Sequence, residues 1–248
     1  DKKINGNYYT FVDGRCRPAG LSFPQQKAAT ASEAVKADAS SISGYQYYDE
    51  DGKRASGWRT IEGAEGISEE AEVYKFYFKN GVPHHAQSGL ELFSIDSKKY
   101  AFNTKGEMQT GKQSENRDGA SANFYFGEDG AMKTGKQTIY DEDLGETQNW
   151  YFHTDGSRKG QGFHGIKDNV LYVYGLRQEL KGPALCTCRV KRNQYLVNSN
   201  GAVQKATSSS KSNAMPELGS GYKDFKDEND KVWTVNTEGV IQTQNTAQ

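Results

Sequence analysis

Asn123-Phe-Tyr-Phe-Gly-Glu-Asp-Gly130, running on to Thr134-Gly135, and Asn149-Trp-Tyr-Phe-His-Thr-Asp-Gly156 are two copies of one figure. A head residue is followed by rings, three polar or small residues, a turn Gly and, in the first copy, a second Gly about five residues on. Lys99-Tyr-Ala-Phe-Asn-Thr-Lys-Gly106 with Thr110-Gly111 is a third copy. More divergent copies place the turn glycine at 14, 52, 81, 201 and 239, as in Tyr45-Gln-Tyr-Tyr-Asp-Glu-Asp-Gly52 and Val232-Trp-Thr-Val-Asn-Thr-Glu-Gly239. The central intervals, from 81 to 106, 130 and 156, are 25, 24 and 26 residues, whereas the outer ones run from 29 to 45. Regular spacing at the centre with insertions toward the ends is the signature of a repeat array.

The chemistry of each copy is that of a hairpin. Tyr, Phe, Trp and Val suit a half-buried pleated strand. Six of the eight turn glycines follow Asp or Asn, the pairs that supply positive φ in tight turns. Alternate residues share a face, so Phe124 and Phe126 point one way and Tyr125 the other. One hairpin alone is marginal in water, so these units must bury rings against each other. The expected fold is all-β, a solenoid of stacked β-hairpin repeats. Leu171-Tyr-Val-Tyr174 has strand character without a turn glycine and reads as a degenerate copy. Residues 1–44 form a divergent first hairpin plus an insertion, residues 45–205 the hairpin repeats, and residues 206–248 a linker with a terminal hairpin. The insertion, Gln25 to Ser43, reads as a short helix or an extended loop. Ala206 to Gly221, with Ser208-Ser209-Ser210, reads as the linker.

Composition narrows the class. The apolar fraction is only 34%, while 15 Tyr, 11 Phe and 27 Gly stand against 5 Pro, which disfavours one large aliphatic core. The net charge is −1 and no like-charged run stands out, so a nucleic-acid partner is not expected. No apolar run approaches the ~20 residues that cross a bilayer, so membrane insertion is not expected either. Asp1-Lys2-Lys3 leads into no hydrophobic region, and a secretion signal is expected to lie outside this stretch or to have been removed.

Motifs of catalysis and metal binding are poorly supported. Gly160-Gln-Gly-Phe-His-Gly165 matches a dinucleotide fingerprint as a string, but Ile166 onward leads into a strand rather than a helix, so it reads as a turn. His84-His85 would point to opposite strand faces and reads as an exposed loop pair. Asp141-Glu-Asp143 with Glu146, and Asp227-Glu-Asn-Asp230, lack the spacing of a calcium loop and read as solvated. Cys16, Cys186 and Cys188 fit neither a disulfide framework nor a zinc ribbon. No metal, no cofactor and no enzymatic activity are expected.

The unit of rings, turn glycine and second glycine resembles the cell-wall-binding repeat superfamily, which includes choline-binding, glucan-binding and clostridial-toxin-type β-hairpin repeats. The resemblance covers residues 45 to 205 well and both ends loosely. It implies a secreted or surface location on a Gram-positive bacterium and a partner that is cell-wall polysaccharide or another glycan. Choline-binding members build their sites from a Trp after the second glycine and a ring at the head of the triplet. Here those positions hold Trp58 once, then Leu90, Lys112, Lys136 and Gln161; the heads are Tyr45, Lys75, Lys99, Asn123 and Asn149. A quaternary ammonium needs ring faces and is repelled by Lys. Only Trp58, with Tyr45 and Tyr74 nearby in sequence, keeps the ingredients of a cage. Exposed rings flanked by Asn, Gln, Asp and Lys suit neutral sugars. The expected glycan-binding residues are therefore Tyr45, Trp58, Tyr74, Trp150, Tyr151 and Phe163. The alternative reading is an adhesin module that recognises a host protein, with specificity carried by the insertions at Gln25 to Ser43 and Ile61 to Val73.

Overall fold

A computed structural model describes residues 2–12, 14–16, 20–22, 42–62, 73–117, 120–179, 185–227 and 229–242. Most of the first insertion, and the second between 63 and 72, lie outside the described residues, so the helix expected near the N-terminus falls there as well. The described chain is all-β, with one 3-10 turn at Pro216–Leu218. It forms two compact units, one of residues 1–115 with 125–132 and one of residues 116–124 with 133–248.

The first unit is a series of antiparallel pairs. Lys2–Ile4 pairs with Asn7–Tyr9, Phe11–Val12 with Arg15–Cys16, Gly20–Ser22 with Gln46–Tyr48, and Leu90–Ile95 with Lys98–Asn103. Gly57–Glu62, Val73–Lys79 and Val82–Pro83 make a three-stranded sheet. In the second unit, Gly135–Asp141, Glu146–Phe152, Leu176–Arg177, Val170–Val173 and Gly165–Lys167 lie side by side in that order. Cys186–Val190 pairs with Asn193–Val197, and Tyr222–Lys226 with Val232–Asn236.

Alternation explains which residue of each copy is buried. The last inward residue of the ring-bearing strand is Tyr48, Phe78, Phe102, Phe126, Phe152, Val197 or Val235, each 0–1% exposed. Removing such a side chain from water contributes about 1.5–3 kcal/mol. Directly after it the chain turns. The Gly106 N–H donates to the Asn103 carbonyl and the Asn103 N–H to the Glu107 carbonyl; Asp49, Gly127, Asn198 and Asn236 open the same pattern. This is a type I turn closed by a left-handed glycine, in which the Asp or Asn before glycine is not itself at positive φ. The Asp-Gly pairs of the sequence thus serve a different turn from the one expected. Paired positive φ values occur at Asn80-Gly81 and at the opposite hairpin ends, at Asn5-Gly6, Asp96-Ser97 and Asp168-Asn169. The degenerate copy also has its glycine: Tyr174-Gly175 turns Val170–Val173 back onto Leu176–Arg177.

Successive hairpins are joined through the main chain. Two residues past the turn glycine, the Met108 N–H donates to the Lys75 carbonyl, Met132 to Lys99, and Ile241 to Gln194, at 2.8 Å each. The acceptors Lys75 and Lys99 are the head residues of the preceding copy. Side chains then seal the joint. A Cβ on Gly130, at φ +77°, would lie 2.2 Å from Met108 Sδ, and one on Gly239, at φ +84°, 2.3 Å from Val203 Cγ1. Turn conformation and close approach both require glycine at these two positions.

Residues 206–221, expected to be a linker, are folded onto the last hairpin. Asp224 Oδ2 accepts from the Asn213 and Ala214 N–H groups, and its Oδ1 accepts from the Ser212 and Thr234 hydroxyls. Met215 and Ser212 are buried. One carboxylate thereby organises a stretch whose Ser-rich composition suggests no structure.

Candidate functional site

Two sets of rings stand out, one in each unit. In the first, the glycine at 57, φ +93°, opens the strand that carries Trp58. Trp58 is half-buried and meets Tyr77 edge-on at 5.1 Å, Tyr100 edge-on at 4.8 Å and the Phe102 ring at 6.0 Å. Tyr77 comes from the same sheet, while Tyr100 and Phe102 come from the next hairpin. Ile95, Phe102 and Ala131 supply the apolar floor, with Phe93 and Met108 packed against it. Lys75 Nζ lies over the Trp58 ring at 5.3 Å.

His84 joins this set and was not legible as a member of it. Its ring stacks on Tyr77 at 5.0 Å and on Phe93 at 4.3 Å with an interplanar angle of 10°. Burial, then the Lys79 charge, hold its pKa below the ordinary histidine value, so it stands as a neutral ring at pH 7. The sequence reading of His84-His85 as an exposed loop pair is corrected here: Val82–Pro83 adds a third strand to the sheet and carries His84 to the cluster. The only sequence signal was Pro83, which marks a short edge strand.

Tyr45 and Tyr74 pack elsewhere. Tyr45, 7% exposed, lies in a core cluster with Ile42, Phe76 and Phe78, and Tyr74 and Tyr47 rest against that cluster. Nearness in sequence misassigned these two as companions of Trp58; the strand register of Tyr77 and Tyr100 decides the matter.

In the second unit Tyr151 meets Phe163 edge-on at 5.8 Å and Tyr172 at 5.6 Å, and His153 lies 5.1 Å from Phe163. Burial raises the Tyr172 phenol pKa and lowers that of His153. Lys167 Nζ sits 5.2 Å over the Tyr151 ring. Trp150, expected beside Tyr151, points to the opposite face of the strand, as adjacent strand residues must. It stacks on Phe152 at 5.9 Å, donates its Nε1–H to Gln148 and is covered by Gly175, where a Cβ would lie 2.9 Å from Trp150 Cε3. With Trp150 at 6% and Tyr151 at 9% exposure, Phe163 presents the more open ring.

Among the described residues no group of three His, Cys, Asp or Glu side chains comes together as a metal site. Cys16 is an exposed free thiol, and Cys188 Sγ lies 3.6 Å from Gln178 Oε1. No helix among the described residues is long and apolar enough to cross a membrane.

The fold and the ring sets define an all-β protein of repeated antiparallel hairpins that presents aromatic clusters at junctions between hairpins. No protein-family model and no curated protein matches the chain. Among solved structures it is similar to choline binding protein F from Streptococcus pneumoniae, at 16% identity over 97% of this chain and 91% of that one, TM-score 0.33. CbpJ from Streptococcus pneumoniae TIGR4 matches at 16% identity over 98% and 86%, TM-score 0.32. Alternansucrase in complex with isomaltononaose matches at 17% identity over 96% of this chain, TM-score 0.32, and the chain spans only 15% of that protein. At this depth the likenesses decide neither family nor ligand.

Proposed function

We propose that the chain is a non-catalytic, extracellular binding module that attaches to cell-wall or other glycans at a Gram-positive surface. One observation carries the reading: two neighbouring hairpins bring Tyr77, Tyr100 and Phe102 around a half-exposed Trp58. A pyranose presents C–H groups to such faces and hydroxyls to the polar rim, which is the chemistry of aromatic sugar platforms. Phe163 with Tyr151 is the second platform, and Trp150 supports it from behind. Tyr45 and Tyr74 act as packing beneath the neighbouring hairpin. Weak sites on one chain add through effective concentration.

Lys75 over Trp58 occupies the kind of face that a quaternary ammonium would use, which disfavours choline. The test is co-sedimentation with Gram-positive cell walls together with a glycan array. Wall-bound protein that is lost in Trp58→Ala supports the proposal; no pelleting and no array signal sinks it.

A second reading, a surface that binds a host protein, is favoured by one feature. Tyr140 and Leu144, on the hairpin of Gly135–Asp141 and Glu146–Phe152, are 62% and 61% exposed. Capture of the same host protein before and after deglycosylation, lost on Tyr140→Ser with Leu144→Ser, would favour it over the glycan reading.

A further inference from the structure

Resting on the glycan reading, we infer that both ring platforms take an acidic saccharide, one whose carboxylate or phosphate lies beside a pyranose ring, rather than a neutral one.

The two platforms are built from different strands and share one polar feature. In each, a lysine ammonium is held about a ring: Lys75 Nζ at 5.3 Å from the Trp58 centre and Lys167 Nζ at 5.2 Å from the Tyr151 centre. Neither lysine makes an ion pair among the described residues. Arg177, near Tyr172, is engaged: its Nε lies 3.0 Å from Glu179 Oε1 and donates to the Asn200 carbonyl. Lys167 thus remains available to a ligand, beside the exposed Lys136 that pairs with Tyr151 across the sheet.

A lysine over a ring places three N–H donors at the rim of the surface on which a sugar would lie. Hydroxyls satisfy such donors weakly, whereas an anionic oxygen gives a charge-assisted bond roughly twice as strong. The lysine backbone is fixed as well, since the Lys75 carbonyl accepts the Met108 N–H at 2.8 Å and Lys167 pairs with Val170 across a tight turn. The backbone that carries each ammonium is therefore set by the hairpins and not by the ligand. The His84 and His153 rings, held neutral by burial, complete the two walls without adding charge.

The test uses a matched pair: a galacturonic acid oligomer and the same oligomer fully methyl-esterified, titrated calorimetrically into the whole chain. A glycerol phosphate oligomer forms a third arm, and isomaltose oligomers a neutral fourth. The acid should bind about five- to tenfold more tightly than its ester, the gain expected of one exposed charge pair per platform. That advantage should fall to about twofold or less in Lys75→Gln with Lys167→Gln and be restored by Lys75→Arg with Lys167→Arg. Raising ionic strength to about 0.5 M should also erode it, because Lys75 is exposed and Lys167 only half-buried. Preference for the phosphate arm, which has no pyranose ring, with the same lysine dependence assigns the platforms to a polyol phosphate and overturns the inference. Equal binding of acid and ester, or a preference that survives both Gln substitutions, overturns the inference and leaves the glycan reading standing. Binding of isomaltose alone does the same. Silence in all four arms, with no cell-wall pelleting, removes both.

Discussion

The hairpin Leu90–Ile95 with Lys98–Asn103 and the terminal hairpin Tyr222–Lys226 with Val232–Asn236 share turn and joint but differ in what fills them. Each ends on a fully buried residue, Phe102 or Val235; each turns through an Asn, 103 or 236, whose Oδ1 accepts two N–H groups; and each passes through a glycine at positive φ. In the first, rings from neighbouring strands surround Phe102 and Trp58. The second packs Val235 with Leu196 and Ile241, and supplements this core with Asp224 and Asp227. The repeat is therefore specified by turn and alternation. Rings are one way of filling it, which leaves them free to acquire a binding role.

The comparison breaks most severely at the buried position. Phe102→Ala should cost about 3–5 kcal/mol in chemical denaturation, whereas Val235→Ala should cost about 2 kcal/mol. Equal losses would mean that the aromatic hairpins do not depend on their rings. The turn glycines should show the opposite behaviour. Gly130→Ala and Gly239→Ala should each cost about 2–3 kcal/mol, since both force a positive φ on alanine and drive a Cβ into a neighbour. Unequal costs would show that the joint differs between the two classes.

Ligand binding sharpens the contrast at a smaller scale. Trp58→Ala should weaken cell-wall retention about tenfold. Trp233→Ala should change it less than twofold, because Lys231 Nζ covers that ring at 3.9 Å and its Nε1–H is committed to Asp227. Retention lost equally in both would move the site away from Trp58.

Acid separates the two hairpins as well. Burial alone would raise the Asp224 pKa, but bonds from Ser212, Thr234, Ala214 and Asn213 outweigh it and leave the value below normal. The Trp233 bond does the same for Asp227. Groups depressed in the folded state contribute stability above the ordinary carboxylate range, and that contribution is lost as pH falls through their folded values. Below about pH 4 the Trp233 emission should shift as residues 206–221 detach, while Trp58 emission, read in a variant lacking the other two Trp, holds. In Asp224→Asn the loop should loosen already at pH 7. A Trp58 transition at the same pH would contradict this separation.

Much of the fold was legible. Turn glycines, ring triplets and spacing define the hairpins, because tight turns and pleats impose local rules on sequence. The site was less so. Alternation says that Trp150 and Tyr151 occupy opposite faces, but which face a later strand covers depends on Gly175 and Tyr172, 20 or more residues away. Likewise Trp58 acquires Tyr100 rather than Tyr45 because of strand pairing that no local pattern encodes. Asp96-Ser97 and Asp168-Asn169 escaped notice as tight turns because neither contains glycine. Residues 206–221 looked like a linker because a single carboxylate that lies after them in the chain imposes their order.

The bonds from Met108 to Lys75, Met132 to Lys99 and Ile241 to Gln194 run between peptide groups and ask nothing of the side chains at either end. A protein joined in this way can gain or lose a whole hairpin wherever the turn glycine and the side chain that meets it are kept. The number of hairpins can thus change by unequal recombination, while any two neighbours kept together retain the rings at their junction.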